Sequence, residues 1–366
     1  MPKKSSISEE RLSYLTSANA QNRQRKEDID YEQKLAGIWG MLNEAMVKQK
    51  IVTVKITSVS VVDVPSNLNS EYETACMLHA TFMDEFRITI PAKDVYIDKS
   101  IVYKTSGVDF SKYDLSTKKG RADYVEAEKR MLYKLIELET PVVIKEMIAG
   151  EKDRKFIDYE IYGSRAAALS RIVQNNFKLR GKEKKALINE GDTILCKICS
   201  VSAEALQVNV GGIDMPLKLS DLTHEWIKDV VAFQKTFHVN DDLKITIKRL
   251  ERDEKGNLKG IAISGKDHEL AEFGKRIDRL GLLNRGSVES TATVVSMKPL
   301  DGGKVWLALW FDTYKVAGVA PNVPLDNYYH TPMPGEKVRV RIKNKMPDNR
   351  LYCICTGMHG YYDFDK

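Results

Sequence analysis

The strongest constraint on the fold is a residue pattern that occurs three times along the 366-residue chain. In each occurrence, short runs rich in Val and Ile alternate apolar with polar residues, and turn-forming residues separate the runs. β-Branched residues at a period of two indicate half-buried strands. Five such runs lie within each of residues 51–162, 193–264 and 290–356. The pattern predicts a mainly β chain of three five-stranded units, with helices added.

Helical periodicity occurs before and within these units. Apolar residues at steps of three and four in residues 29–47 predict an amphipathic helix; they are Tyr31, Leu35, Ile38, Trp39, Leu42 and Met46. Such a helix must dock on something, and a protein partner is one surface that would serve. Further helices are predicted at 121–139 and 224–233, between the third and fourth strands of the first two units. Five strands with a helix at that place match an OB-fold, a small antiparallel barrel.

The predicted organisation is therefore three OB-like barrels in series behind an N-terminal helical arm. Its segments are a basic arm and amphipathic helix (1–49), a divergent OB-like barrel with a helical insertion (50–174), a basic linker (175–189), an OB barrel (190–267), a helical linker (268–285), and a third OB-like barrel with a C-terminal tail (286–366).

Composition narrows the class of protein. With 43% hydrophobic and 30% charged residues, the chain has the balance of a folded domain protein. No apolar run approaches the roughly 20 residues that cross a bilayer, and the N-terminus lacks an apolar signal region. We therefore expect a cytoplasmic protein without a membrane segment. The net charge of +6 permits an anionic partner without requiring one.

The cysteines do not predict a disulfide framework or a metal centre. Their number is five, which is odd, and they are spread over a long chain. Cys196 and Cys199 have the C-x-x-C spacing, and Cys353 with Cys355 would be the other half of a zinc site. All four lie in predicted strands, where residues three apart point to opposite faces. We expect buried thiols, no metal and no cofactor.

The middle unit carries a family resemblance. Its segments Gly211–Leu222, Asn240–Leu250 and Ile263–Lys266, with Trp226 and Asp229 in the predicted helix, resemble the S-one RNA-binding domain of the bacterial ribosomal protein S-one family. The resemblance is good over 190–267, looser over 286–358, and limited to strand order over 50–163. It implies an OB-type barrel that binds RNA, with aromatic rings on strands two and three that stack on bases and basic residues that contact phosphates.

The middle unit departs from the family at the residues that would bind. The family's aromatic position on strand two falls at Gln207, and its histidine after strand three falls at Lys218. Lys218 can still contact a phosphate, but no stacking surface remains. A structural spacer and an RNA contact both stay open for this unit.

The third unit carries the main nucleic-acid signal. Trp306 falls at the aromatic position, with Trp310 and Tyr314 nearby, while Pro321 replaces the histidine. On the fourth strand, alternate positions are cationic and are predicted to share one face; they are Lys337, Arg339, Arg341, Lys343 and Lys345. An ordinary solvated face, with Trp306 packed beneath a helix, is the alternative.

A basic loop before the middle unit is a further candidate phosphate contact. It contains Lys178, Arg180, Lys182, Lys184 and Lys185. Such a cluster attracts phosphate whatever its sequence, although a solvated linker explains it equally well.

No catalytic motif occurs, and the six histidines stand in unlike contexts. The sequence therefore predicts a non-enzymatic protein that binds single-stranded RNA or DNA, with RNA favoured, through the third barrel and the basic loop. The alternative is a structural interaction protein of a larger assembly, such as a phage or mobile-element particle.

Overall fold

The computed structural model describes residues 29–65, 72–97, 110–149, 159–181, 185–202, 205–254, 256–283, 288–325 and 331–358. The basic arm before residue 29, Lys182, Lys184 and the end of the predicted tail lie outside these residues. The described residues form two compact units, one ending at Ser170 and the other beginning at Arg171. The predicted class is confirmed, since the chain is mainly β with three five-stranded sheets and a few helices.

The first unit is a closed five-stranded barrel preceded by a helix. Its elements are α1 (residues 29–47), β1 (Ile51–Pro65), β2 (Tyr72–Phe82), β3 (Phe86–Pro91), α2 (Lys118–Tyr133), β4 (Glu139–Ala149) and β5 (Tyr159–Ser164). The strand order is β1-β2-β3-β5-β4, and a short parallel pairing of Ile88 with Ile161 joins β3 to β5. This is the strand order expected for an OB-like barrel.

Helix α1 packs on this barrel. Leu35, Ile38 and Leu42 are at most 7% exposed, so the centre of the apolar stripe is buried, while Tyr31 at its start is 47% exposed. The Trp39 ring lies 4.3 Å from that of Tyr159 at the start of β5, and Lys34 forms an ion pair of 2.6 Å with Glu85 in the β2–β3 turn. The apolar face that predicted a docking surface is thus covered by the chain's own barrel.

The middle sheet has the same strand order but is not closed by a strand pair. Its elements are α3 (Arg165–Phe177), β6 (Thr193–Val201), β7 (Ala205–Val210), β8 (Ile213–Lys218), α4 (Val230–Gln234), β9 (Asp242–Arg252) and β10 (Leu258–Ser264), in the order β10-β9-β6-β7-β8. Pro216 deprives β8 of one backbone donor. The edge is bridged only beyond the strands, where Gly265 N donates to Asp221 O at 2.8 Å. The expected closure by strand pairing is therefore wrong for this unit.

Helix α4 is shorter than the predicted 224–233 helix. The Asp229 carboxylate accepts a hydrogen bond from Ala232 N at 3.0 Å, which starts the helix there. Before it, His224 N donates to the Glu269 carboxylate at 2.9 Å, which holds this segment against the start of the next helix, Glu269–Leu280.

The third unit is again a closed barrel. Its elements are α5 (Glu269–Leu280), β11 (Val288–Leu300), β12 (Lys304–Phe311), β13 (Val316–Pro324), β14 (Lys337–Lys345) and β15 (Leu351–Met358), in the order β11-β12-β13-β15-β14. Gly318 pairs in parallel with Leu351 to close it. A Cβ on Gly318 would lie 2.7 Å from the Phe311 ring, so only glycine lets β13 approach β15 here.

The internal repeat includes the helix that precedes each sheet. As α1 does in the first barrel, the end of α3 packs against the β7–β8 turn, where Asn176 Nδ2 donates to Gly211 O at 3.1 Å. Helix α5 packs against the β12–β13 turn, where Arg276 donates to Lys315 O. The sequence pattern predicted the strands of the repeat but not this shared helix. None of the helices in the described ranges is long and apolar enough to cross a membrane.

The packing of α1 predicts how two neighbouring substitutions should change the free energy of unfolding. Leu42 is 0% exposed and its neighbour Met41 is 48% exposed. We expect Leu42→Ala to lower the free energy of unfolding by about 2–5 kcal/mol, and the adjacent Met41→Ala to change it by less than about 0.5 kcal/mol. Urea unfolding of the two variants tests this; equal effects would mean that α1 is not docked through its apolar face.

Candidate nucleic-acid interface

Strand β14 presents the basic row, which consists of Lys337, Arg339, Arg341, Lys343 and Lys345. Val338, Val340 and Ile342 between them are at most 1% exposed and belong to the barrel core. Lys337, Arg339, Arg341 and Lys343 therefore point outward, as the period of two predicted. The register shift between Ile342 and Asn344 breaks the alternation and pairs Lys345 with the buried Leu351, so the prediction that Lys345 shares this face is wrong. On one side β14 pairs with β11, which sets Arg341 opposite Glu289 and Arg339 opposite Thr291.

Two cations of the basic row have acidic partners. Arg341 lies 2.8 Å from the Glu289 carboxylate, and Lys345 lies 2.7 Å from that of Asp278 on α5. Exposed pairs of this kind contribute only about 0–1 kcal/mol, so they can open in favour of phosphate. Within the described residues, no ion pair involves Lys337 or Lys343. The row is thus less purely cationic than β14 alone suggested, because its acidic neighbours come from other elements.

Trp306 lies on the outer face of β12 with lysines beside it. Its side chain is half-buried, and Lys298 on β11 stands directly opposite. Lys304, two positions earlier on the same face, is exposed. Sequence reasoning missed both lysines. Counting back from the Asp301–Gly303 turn would have found Lys298, since a hairpin turn determines which residues are opposite each other.

A bulge in β13 shapes the surface next to Trp306. Val305 pairs with Val323 and Leu307 with Ala320, so β13 has two residues where β12 has only Trp306. One of them, Asn322, is exposed and has a φ of 58°. Bulges of this kind bend the strand and change the direction of side chains. The bulge therefore places Asn322 on β13 opposite the Trp306 position of β12.

Trp310 and Tyr314 do not extend this surface as expected. Trp310 is 4% exposed, and its ring lies 5.9 Å from that of Phe273 on α5. Tyr314 is half-buried in the turn after β12, with its ring 6.0 Å from Phe311. Helix α5 covers this end of the β12 outer face, and the sequence of β12 alone could not reveal it.

The basic row and Trp306 also lie farther apart than expected. Both are positioned by β11, but the partner of Trp306, Lys298, comes seven residues after Thr291, the partner of Arg339. Seven residues of strand span about 23 Å. They are two surfaces along one strand, and the expectation of a tryptophan beside the row is corrected accordingly.

The corresponding outer face of the middle sheet is covered. Cys199 and Asp214 on it are 1% and 6% exposed, and Asn209 Nδ2 donates to the Asp214 carboxylate at 2.7 Å. Gln207, at the family's aromatic position, is half-buried, while Lys218 is exposed at the end of β8. Polar contacts thus occupy the face on which bases would stack, and Lys218 stands alone at its margin.

The described ends of the basic loop are held on the middle sheet. Arg180 and Lys185 exchange backbone hydrogen bonds of 2.9 and 3.2 Å, and Lys178 is exposed. Before the loop, Arg252 of β9 donates to Phe177 O at 2.9 Å. The loop therefore begins against the β9–β10 hairpin, with exposed cations at both of its described ends.

The outer face of the first barrel carries a polar network instead of a cationic one. His79 on β2 is 6% exposed, and its ring nitrogens lie 2.7 Å from Ser60 Oγ and 3.3 Å from Thr89 Oγ1. Burial, with a smaller effect from the Arg87 charge, lowers the pKa of the imidazole and favours its neutral form.

The cysteines lie where strand packing puts them. Burial raises the pKa of the Cys196 and Cys353 thiols to about 12, which opposes the thiolate form that metals bind. Among the residues that the structure describes, no three His, Cys, Asp or Glu side chains are grouped so as to hold a metal ion.

No protein-family model and no curated protein matches the chain. Among solved structures, it is similar to a replication protein A heterotrimer bound to single-stranded DNA. That match covers 84% of this chain and 92% of the other, at 10% sequence identity and a TM-score of 0.15. A similarity of this size carries no argument about binding.

The two tryptophans of β12 should differ sharply in their effect on stability. Trp310→Ala removes a ring packed under α5, and we expect it to lower the free energy of unfolding by about 3–5 kcal/mol. Trp306→Ala should cost less than half of that, because part of its ring already faces water. Chemical denaturation measures both values, and a larger loss for Trp306→Ala would place that indole in the core.

Proposed function

We propose that this protein is a non-enzymatic binder of single-stranded nucleic acid, with RNA preferred to DNA, and that it binds through the third barrel. The basic row is the observation that carries the proposal. Four of its cations, Lys337, Arg339, Arg341 and Lys343, share one face of the strand, and the core packing of Val338, Val340 and Ile342 keeps that face outward.

Cations in such a row favour a polyanion over a small anion. Each Lys or Arg that neutralises a phosphate releases condensed counterions, so several in a row raise the affinity together. Acidic neighbours Glu289 and Asp278 are exposed by 70% and 63% and can turn away from the row. A phosphate backbone then takes their place.

The preference for a single strand rests on Trp306. A half-buried indole between Lys298 and Lys304 can stack on an unpaired base while the lysines contact flanking phosphates. Bases inside a duplex do not offer their faces in this way. The preference for RNA rests on the resemblance of the middle unit to the S-one domain, whose family binds RNA.

A structural role in a larger assembly is the second candidate. The observation in its favour is that the outer faces of the first barrel and the middle sheet are occupied by internal contacts, around His79 and Asp214. Under this alternative the sheets support protein contacts, and light scattering of the purified chain would show concentration-dependent assembly without binding of oligonucleotides.

Charge reversal in the basic row tests the main proposal. We expect Arg339→Glu with Lys343→Glu to weaken binding of labelled oligouridine at least tenfold at about 0.1 M salt. Losing two phosphate contacts should also reduce the slope of log affinity against log salt by about 1.4. Filter binding over a salt series measures both quantities.

The matched control reverses one Arg and one Lys on exposed strand positions of the first barrel, Arg87→Glu with Lys145→Glu. It changes the net charge equally and should leave affinity within about twofold, since long-range effects are screened. Equal losses in both double variants would mean that only net charge matters. If the wild-type chain binds no oligonucleotide, the proposal fails.

Removing the acid opposite Arg341 should act in the other direction. Glu289→Gln keeps the shape of the side chain but frees the guanidinium that Glu289 now holds at 2.8 Å. We expect oligouridine affinity to rise by about twofold to fivefold, the size of an exposed ion pair. Glu272→Gln on α5 is the control, because Glu272 pairs with Lys275 instead of a member of the row. An unchanged or lower affinity of Glu289→Gln would exclude Arg341 from the interface.

A further inference from the structure

The segment that follows strand β8 of the middle sheet contributes a tryptophan to the surface of the third barrel. Trp226, in the segment between β8 and α4, is half-buried, and its ring lies on the backbone of Gly335. A Cβ on Gly335 would be 3.0 Å from Trp226 Cζ2 and 3.3 Å from Cε2, so a side chain there would crowd the ring. The φ of Gly335 is 92°, which also favours glycine.

Gly335 connects this ring to the basic row. It precedes Lys337, the first cation of the row, by two residues, and its N–H donates to Val294 O on β11 at 2.8 Å. Gly335 therefore links Trp226 to Val294 on β11, and Val294 lies between Thr293, which pairs with Lys337, and Lys298, which pairs with Trp306.

The three features thus follow one another along a single strand. Along β11, Glu289, Thr291 and Thr293 pair with the cations Arg341, Arg339 and Lys337, in that order. Val294 then bonds to Gly335, on which Trp226 packs, and Lys298 pairs with Trp306. Cations come first and the two aromatic rings follow. That combination of a positive track and stacking surfaces is what a single strand requires.

Contacts around Trp226 fix its position. The preceding residue, Glu225, lies 3.7 Å from Lys315 in the β12–β13 turn. His224 is bonded to Glu269 through both its backbone N–H and its ring, and its ring lies 5.4 Å from Phe273. Because the segment that carries Trp226 is already anchored, less conformational entropy is lost when a base stacks on the ring.

We propose that a single strand of nucleic acid runs from the basic row to Trp306, with its phosphates on the row and its bases on Trp226 and then Trp306, so that the segment between β8 and α4 supplies one of the two stacking rings. Lys298 and Lys304 contact the phosphates on either side of the second base. This proposal rests on the proposed function and adds a direction, a second stacking residue and a length to it.

The length follows from the strand geometry. Lys298 comes nine residues after Glu289, a span of about 30 Å along a strand. A nucleotide within a duplex strand spans about 3.4 Å and a more extended single strand spans more, so at most about nine nucleotides cover the whole path. Shorter oligonucleotides reach only part of it, so affinity should rise with length and level off at or below about nine nucleotides.

Photocrosslinking of the intact wild-type chain tests the path. The probe is an oligouridine of about 12 nucleotides, long enough for the whole site, that carries 5-iodouridine. Irradiation followed by peptide mapping should find crosslinks at Trp226 and at Trp306. Crosslinks at Trp306 without Trp226 would overturn the path while the proposed function stood. Crosslinks only at residues of the first barrel, or no binding to the probe, would instead contradict the proposed function.

Paired substitutions separate stacking from packing at Trp226. Trp226→Phe keeps an aromatic face and Trp226→Leu does not, while both shorten the side chain that packs on Gly335. We expect the Trp226→Leu protein to bind unmodified oligouridine of the same length at least about fivefold more weakly than the Trp226→Phe protein, because one base stack is lost. Trp306→Leu should likewise bind more weakly than Trp306→Phe. Probes of about four nucleotides should show a smaller difference, since they cannot cover the path. Equal affinities of the Leu and Phe variants at Trp226 would overturn its role as a stacking ring.

Discussion

The alternation of side chains on β14 is the constraint on which the functional surface depends. Val338, Val340 and Ile342 fill the core of a closed barrel, and a shift of the strand by one residue would put all three in water and the cations inside. Closure through the pairing of Gly318 with Leu351 resists such a shift. The packing that holds the barrel together therefore also holds the basic row outward. The side chains of the row stay in contact with water and keep their positive charge.

The face on which a side chain lies could be predicted from the local sequence pattern. The neighbours that a side chain gains through strand register could not. The period of two placed Val340 inside and Arg339 outside without knowledge of any neighbour. Glu289 and Lys298 reach the surface through pairing with β11, and the covering of Trp310 requires α5 to fold back on β12. Such neighbours come from distant parts of the chain, which a strand's own sequence does not specify.

The repeated architecture does not carry a repeated outer surface. All three sheets share a strand order and a preceding helix, yet the face that stacks bases in OB-type proteins is filled by His79 contacts in the first and by Asp214 contacts in the second. The middle sheet is the one without strand closure. Its contribution to the proposed site comes from Trp226, outside the sheet, because that residue packs on the third barrel.

Hydrogen–deuterium exchange of the intact chain, with and without oligouridine of about 12 nucleotides, tests the central claim most directly, because it reports the contacted backbone without any substitution. The account predicts slower exchange in peptides that contain β11, β14 and the Trp226 segment, and unchanged exchange in the first barrel. Protection confined to the first barrel or to the 178–185 loop, with β11 and β14 unchanged, would contradict it.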